Sequence, residues 1–409
     1  MNTIRRRSFL RHGVATGFGS VFCHRLCHAF ERSTSAGPFR RCLVLWMEGG
    51  PSQQDTFDPK STGPRGSIAT CIDGVRFSET LPGLAERADQ LCLLRSIGSG
   101  EGEHNRATEL MHTGFSPLPS FPRPPVGSIV SHWSADLGFP RYVTLGGRGF
   151  GPAFLDNGDG PFVIEDLSAA RGQLDKIAQK RTSLDLLAGM NERYRDQQGT
   201  RADGLAVVAQ RSSQIQSVRQ LLGTGFPDAL KLESALPSRR ERYGNQPFGQ
   251  RLLAAWRLLN LGVPFVEAQL GGWDTHVDNQ RRTEVLCQRL EQPWVALLDD
   301  LQLSGLWDDT LIVWMGEFGR TPSVNTAGGR DHFPEVTPVV LAGRDLGGKV
   351  IGQTSEDGRK RVGETHTIAD LFATILSLMG LDIDAGFTTA FGSPTTITDG
   401  GSPIHSLGS

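Results

Sequence analysis

The chain has no marked excess of either charge, few cysteines, and no N-terminal apolar run long enough to cross a bilayer. Its 42 Lys and Arg stand against 44 Asp and Glu, a formal net charge of −2, so no charge surplus points to nucleic acid or an anionic membrane as partner. The 6 cysteines include no CxxC pair and no metal-ligand spacing, which leaves buried thiols as the reading for Cys42 and Cys92 in their apolar surroundings. An oxidised pair such as Cys71 with Cys92 stays open for an exported chain. Residues 13–22 are apolar but short and glycine-containing, unlike a membrane span. What is abundant is glycine, 50 residues, with 23 prolines. They cluster at 146–151 and 116–125, as in a loop-rich protein whose long connections frame a site. With 409 residues, 38% of them hydrophobic, there is material for one large α/β domain or two smaller ones.

The N-terminus carries an address. Arg5-Arg6-Arg7-Ser8-Phe9-Leu10 followed by the weak apolar segment resembles a twin-arginine export signal. Small residues at Thr34-Ser35-Ala36 suit a signal peptidase, so residues 1–36 read as a signal peptide. That implies the twin-arginine translocation machinery as a transient partner and a periplasmic or extracellular destination.

Three short β-branched runs read as strands buried on both faces of a parallel sheet, and each ends in ionisable residues. Residues 42–47 (CLVLWM) run into Glu48, two glycines, Ser52 and Asp55. Residues 263–270 (VPFVEAQL) lead to Asp274 and His276, a carboxylate and an imidazole able to converge on one divalent cation. Asp274 as a helix cap is the plainer alternative. Residues 311–315 precede Glu317, Arg320, Asp331 and His332, and a further run at 336–341 closes that segment. In open α/β sheets ligands bind at the carboxyl ends of strands. A glycine-rich loop at 98–105 leads to a helix over 106–112, so His104 is expected near a helix N-terminus where backbone N–H groups favour an anion. His112, eight residues on, is expected on a similar face. Between about 166 and 262 the apolar spacing turns to three and four, and this is read as a helical insertion covering part of the sheet. Near the C-terminus Thr367 and Asp370 cap a helix over 368–378, with His366 beside it.

The stretches LWMEGGPSQQDTFDPK, YGNQPFGQRLLAAWRLLNLGVPFVEAQLGGWDTH, TLIVWMGEFGRTP and GRDHFPEVTPVVLAG together resemble the bacterial DUF1501 family, exported proteins grouped with the alkaline phosphatase and sulfatase superfamily. The resemblance spans residues 37–409. It implies an alkaline-phosphatase-like three-layer sandwich: a central, mostly parallel sheet between helices, with one or two divalent metals, zinc or calcium, at the strand ends. Position by position it assigns Glu48, Asp274, His276 and His332 to the metal, and Asp331 beside His332 is expected as a further ligand. It also implies a nucleophile ahead of the helix that begins near 106, where this chain has Glu103, His104 and Asn105 and no Ser, Thr or Cys in register except Ser99 upstream. Glu317-Phe318 stands where the superfamily has an Asp-His pair.

These residues lead to one expectation and one rival. The expectation is an exported, metal-dependent hydrolase of phosphate or sulfate esters, small or polysaccharide, with His104 as base or nucleophile, Glu317 beside it and Arg320 neutralising an ester oxygen. Ser52, Asp55 and His112 would support the site. The rival is a non-catalytic exported binding or assembly protein on the same scaffold.

Overall fold

The computed structural model describes residues 37–407 except 62, 64, 199–201, 390 and 391. The signal-peptide reading therefore lies outside the described residues. The core is a sheet of eight strands, numbered here in chain order: β1 Arg41–Glu48, β2 Leu91–Leu94, β3 Tyr142–Leu145, β4 Phe162–Ile164, β5 Phe265–Gly271, β6 Thr310–Gly316, β7 Val339–Ala342 and β8 Lys349–Ile351. Their order across the sheet is β8-β2-β7-β6-β1-β5-β3-β4. β1 pairs in parallel with both β5 and β6, so the three strands that carry site residues are neighbours at the middle of the sheet. β7 runs antiparallel to β6 and β2. This corrects the parallel reading of the run at 336–341, where an apolar strand buried on both faces does not reveal its direction.

Side chains alternate across β1. Leu43, Leu45 and Met47 face one apolar cluster, and Cys42, Val44 and Trp46 face the other. In chain order the helices of eight or more residues are α1 His104–Thr113, α2 Val126–Trp133, α3 Leu167–Gln179, α4 Arg181–Gln198, α5 Ala202–Gly223, α6 Pro247–Leu261, α7 Asn279–Leu303 and α8 Ile368–Leu378. α6 and α7 cover the first face, and α1, α2 and α8 cover the second. The result is a three-layer α/β sandwich with a mostly parallel sheet. α6 belongs to the layer itself, since Phe248, Leu252, Leu253 and Leu258 are buried in the core, so only part of the expected insertion stands apart. Within it α4 and α5 pack chiefly on each other, and Leu186 and Met190 on α4 remain 66% and 56% exposed. α8 begins as expected: Thr367 and Asp370 form the reciprocal capping box.

The four described cysteines are free. Cys42, Cys92 and Cys287 are buried while Cys71 is exposed, and burial pushes the Cys92 and Cys287 thiols up to about 12.

Candidate metal centre

Two connections at the carboxyl edge of the sheet carry the ionisable cluster. The loop after β5 holds Asp274 and His276. The loop after β6 returns as a two-residue ribbon in which Arg320 pairs with His332, and a bridge between Val277 and Gly328 ties the two loops together. Close approach requires glycine at two points. A Cβ on Gly329 would lie 1.8 Å from the His276 carbonyl oxygen, and one on Gly49, at φ +108°, would lie 2.3 Å from the Asp274 nitrogen.

Asp274 Oδ1 is the centre of the arrangement. His276 Nε2 lies 3.1 Å from it, His332 Nε2 3.4 Å and His104 Nε2 3.5 Å, and the His276 and His332 Nε2 atoms are 2.9 Å apart. The other nitrogen of each of these two rings is committed. His332 Nδ1 donates to the Gly102 carbonyl at 2.7 Å, and His276 Nδ1 donates to Asp331 Oδ1 at 2.9 Å. A carbonyl oxygen can only accept, and an ionised carboxylate likewise, so Nδ1 carries the proton in both rings. Both Nε2 atoms then turn toward each other and toward a carboxylate oxygen. Burial lowers the pKa of His332, and the positive charge of Arg320 adds to this, which keeps that ring neutral. Three nitrogen and oxygen atoms at such distances can hold a cation among them. Donors bound tetrahedrally at about 2.0–2.1 Å to a zinc-sized ion sit about 3.3 Å apart, so the separations fit. The backing of each imidazole by an acceptor is the usual support of a metal-ligating histidine.

Burial opposes ionisation of Asp274, but the hydrogen bond and charge of Arg320 outweigh it and hold the carboxyl below its usual range. Arg320 itself is completely buried. Its Nη2 donates to Asp274 Oδ1 at 2.6 Å and to the Gly49 carbonyl, while Nε and Nη1 reach the Gly50 and Arg330 carbonyls at 3.0 and 3.2 Å. This corrects the substrate-clamp expectation, because the guanidinium is used up bracing Asp274. Asp331 is corrected similarly: its carboxylate accepts from the Nδ1 of His276 and from Asn325, outside the converging atoms, and those two hydrogen bonds lower its pKa.

His104 is the first residue of α1. Its helix N-terminus is already satisfied by Glu103, whose carboxylate accepts from the Asn105 and Arg106 N–H groups at 3.1 and 3.0 Å, so the expected anion site there is filled by the chain. Glu317 is buried, accepting from the Gly49 N–H at 2.7 Å and the Thr108 hydroxyl at 3.3 Å. It interacts with His104 Nδ1 at 3.9 Å, and this contact, with its charge, raises the His104 pKa. Glu48 does not join the cluster, since its Oε2 accepts from Gln269 Nε2 at 2.6 Å. Instead it lines a cleft of about 900 Å³ that also takes in His104, Asp274 and Glu317.

The supporting residues divide. His112 lines the cleft but is buried, 3.3 Å from Glu267 Oε2. Ser52 and Asp55 lie elsewhere: the Ser52 hydroxyl accepts from the Asp55 N–H at 3.3 Å, and Asp55 Oδ2 accepts from Arg330 Nε and Asn279 Nδ2, both at 2.8 Å. They hold the loops together and do not touch the cleft. His366 pairs with Glu364 at 3.0 Å. Sequence reasoning passed over Glu267 and Arg330. An acid inside the apolar run 263–270 was a usable signal for Glu267, and none marked Arg330.

The fold and site together define an α/β protein with a candidate cation site of histidine and aspartate side chains, among the described residues, at the carboxyl end of its sheet. The chain belongs to the family described as "Protein of unknown function (DUF1501)", whose pattern it matches over residues 39–407. No curated protein matches it. Solved structures with a similar chain path include the PsFucS1 sulfatase from Pseudoalteromonas sp., at 12% identity and a TM-score of 0.41, over 95% of this chain and 77% of that one. A protein in the alkaline phosphatase superfamily from Vibrio parahaemolyticus is 14% identical at a TM-score of 0.36, over 85% and 68%. The phosphonate monoester hydrolase SpPMH from Silicibacter pomeroyi is 12% identical at 0.36, over 84% and 74%. Identities this low carry over no residue's role.

Proposed function

We propose that the protein is an exported, metal-dependent hydrolase of phosphate or sulfate esters, small or polysaccharide. The observation that carries this reading is the convergence of the His276 and His332 Nε2 atoms on Asp274 Oδ1, with the Nδ1 atoms of both rings committed to Asp331 and Gly102. A zinc-like divalent ion suits imidazole donors better than calcium, which takes oxygen ligands. When bound, such an ion supplies Lewis-acid stabilisation of ester oxygens. Asp274, His276 and His332 are the residues that would hold it. His104, with basicity raised by Glu317, is assigned the proton transfer at the cleft mouth, and Glu317 orients its ring. The Arg5-Arg6 motif supports export by the twin-arginine route to the periplasm or beyond.

Hydrolysis of p-nitrophenyl phosphate and p-nitrophenyl sulfate by the purified chain tests the reading. The expected result is release of nitrophenol that is abolished by chelation and by Asp274→Ala or His332→Ala. Absence of turnover on both esters by a metal-loaded protein contradicts it. That outcome would support a second reading, a non-catalytic binding or assembly protein. The observation favouring it is that positions 103–105 offer Glu, His and Asn, with no hydroxyl or thiol nucleophile.

A further inference from the structure

A second cavity of about 330 Å³ runs along the first turns of α7 and is lined by Arg281, Arg282 and Arg289 together with Val285, Leu286 and the Gly271–Gly272 backbone. Gly272 lines the large cleft as well, so the two cavities adjoin, two residues before Asp274. Positions 281, 285 and 289 repeat every four residues, and 282 with 286 forms the neighbouring row, so these side chains stand along one helical face. Val285 is 38% exposed and Leu286 is buried, giving the groove an apolar floor between cationic walls. Structural arginines elsewhere in this protein are held by partners, Arg330 and Arg239 by the carboxylates of Asp55 and Asp300 and Arg257 by the Ala229 and Asp228 carbonyls. Here no carboxylate among the described residues lies within ion-pair distance of Arg281, Arg282 or Arg289. Among the described residues, the sole hydrogen bond of the three guanidiniums is a 3.4 Å contact from Arg282 Nη2 to the Gly272 carbonyl. Asp278 is the one acid among the lining residues, so the groove keeps a surplus of two positive charges.

The large cleft has the opposite character: Glu48, Glu109, Glu165, Glu267, Glu317 and Asp274 line it against one arginine, Arg148. A chain bearing several anionic groups gains nothing from entering it beyond the one group a cation would hold. Its remaining anionic groups are better accommodated outside, and the arginine groove lies at that boundary.

We propose that the groove formed by Arg281, Arg282 and Arg289 is a binding site for sulfate or phosphate groups on the part of a polymeric substrate that stays outside the cleft. The guanidinium fork matches tetrahedral oxyanions in bidentate geometry, and the Val285 floor suits the apolar face of a repeating unit. The identity of the bound chain as substrate rests on the ester-hydrolase reading, but binding is measured apart from turnover.

The test is fluorescence anisotropy with labelled dextran sulfate and, in a second arm, labelled inorganic polyphosphate, at 0.15 M salt. The arm with the tighter binding names the group. The expected result is that Arg281→Glu/Arg289→Glu weakens binding at least tenfold with an unchanged melting temperature, as befits exposed side chains. Arg344→Glu, exposed and remote after β7, leaves binding within twofold. In the His332→Ala background, which loses at most the one group a cation would hold, Arg281→Glu/Arg289→Glu should weaken binding by the same factor, so a failed metal reading leaves this site standing. Equal weakening by Arg344→Glu, no effect of the double variant, or no binding of either polymer by the parent protein overturns the proposal.

Discussion

Replacing Arg320 by Met separates bracing from substrate binding. Met keeps much of the stem's volume and removes the guanidinium. Arg320 is fully buried and donates to the carbonyls of Gly49, Gly50 and Arg330 as well as to Asp274, so the substitution strands three buried acceptors and one carboxylate. A buried polar group left without its partner costs about 1–3 kcal/mol. The Asp274 side chain is 45% exposed, so water compensates it in part and its share is discounted. Three carbonyls at the low end of that range give about 3 kcal/mol, and removal of one partner of a buried pair has typically cost about 3–5 kcal/mol. For a chain of this size such a loss lowers Tm on the order of 5 °C. Differential scanning calorimetry of parent and variant reads this directly. A melting temperature unchanged within a degree, together with a KM for ester raised tenfold or more, would refute the bracing role and restore Arg320 as a group that meets the substrate.

Other perturbations probe other layers of the account. Asp331→Asn keeps an acceptor for His276 but removes its charge, and a weakened outer partner costs about 10–100-fold in metal affinity; competition against a chromogenic zinc chelator measures it, and an unchanged Kd contradicts the assignment. Asp55→Ala strands the fully buried Arg330, so a loss of about 3–5 kcal/mol in urea unfolding is expected, and a loss below 1 kcal/mol would show the pair to be dispensable. His112 is opposed by burial, yet Glu267 outweighs this and raises its pKa above the usual 6.5. A raised folded-state pKa means the His112–Glu267 pair stabilises fully below about pH 6.5 and loses its contribution as pH climbs through the raised value. The Tm difference between parent and His112→Gln should therefore shrink on going from pH 6 to pH 9, and a difference that grows with pH contradicts the ion pair.

What the sequence revealed depended on how local the determinant was. β1, β5 and β6 are legible because each is a compact apolar run ended by glycine, and their order alone places Asp274, His276 and His332 in the connections after strand ends. The converse cases are long-range. Nothing near Asp55 announces Arg330, 275 positions away along the chain, and the same holds for the burial of Arg320 under Gly49 and Gly50. Asp331 and Glu48 looked like ligands because acids at strand ends commonly are. Which way each carboxylate turns was decided by partners, Asn325 and His276 for one and Gln269 for the other. The direction of β7 was hidden because burial on both faces produces the same residue pattern for parallel and antiparallel strands. The α6 segment was read into the insertion since amphipathic spacing alone does not say which surface a helix covers.

The most direct test of the central claim is the metal content of the purified parent protein beside Asp274→Ala and His332→Ala, by inductively coupled plasma mass spectrometry after dialysis against a zinc-containing and then a metal-free buffer. The account predicts close to one equivalent of a zinc-like ion in the parent protein and less than a tenth of that in each variant. A folded parent protein that retains no metal, or variants that retain as much as the parent, would contradict it.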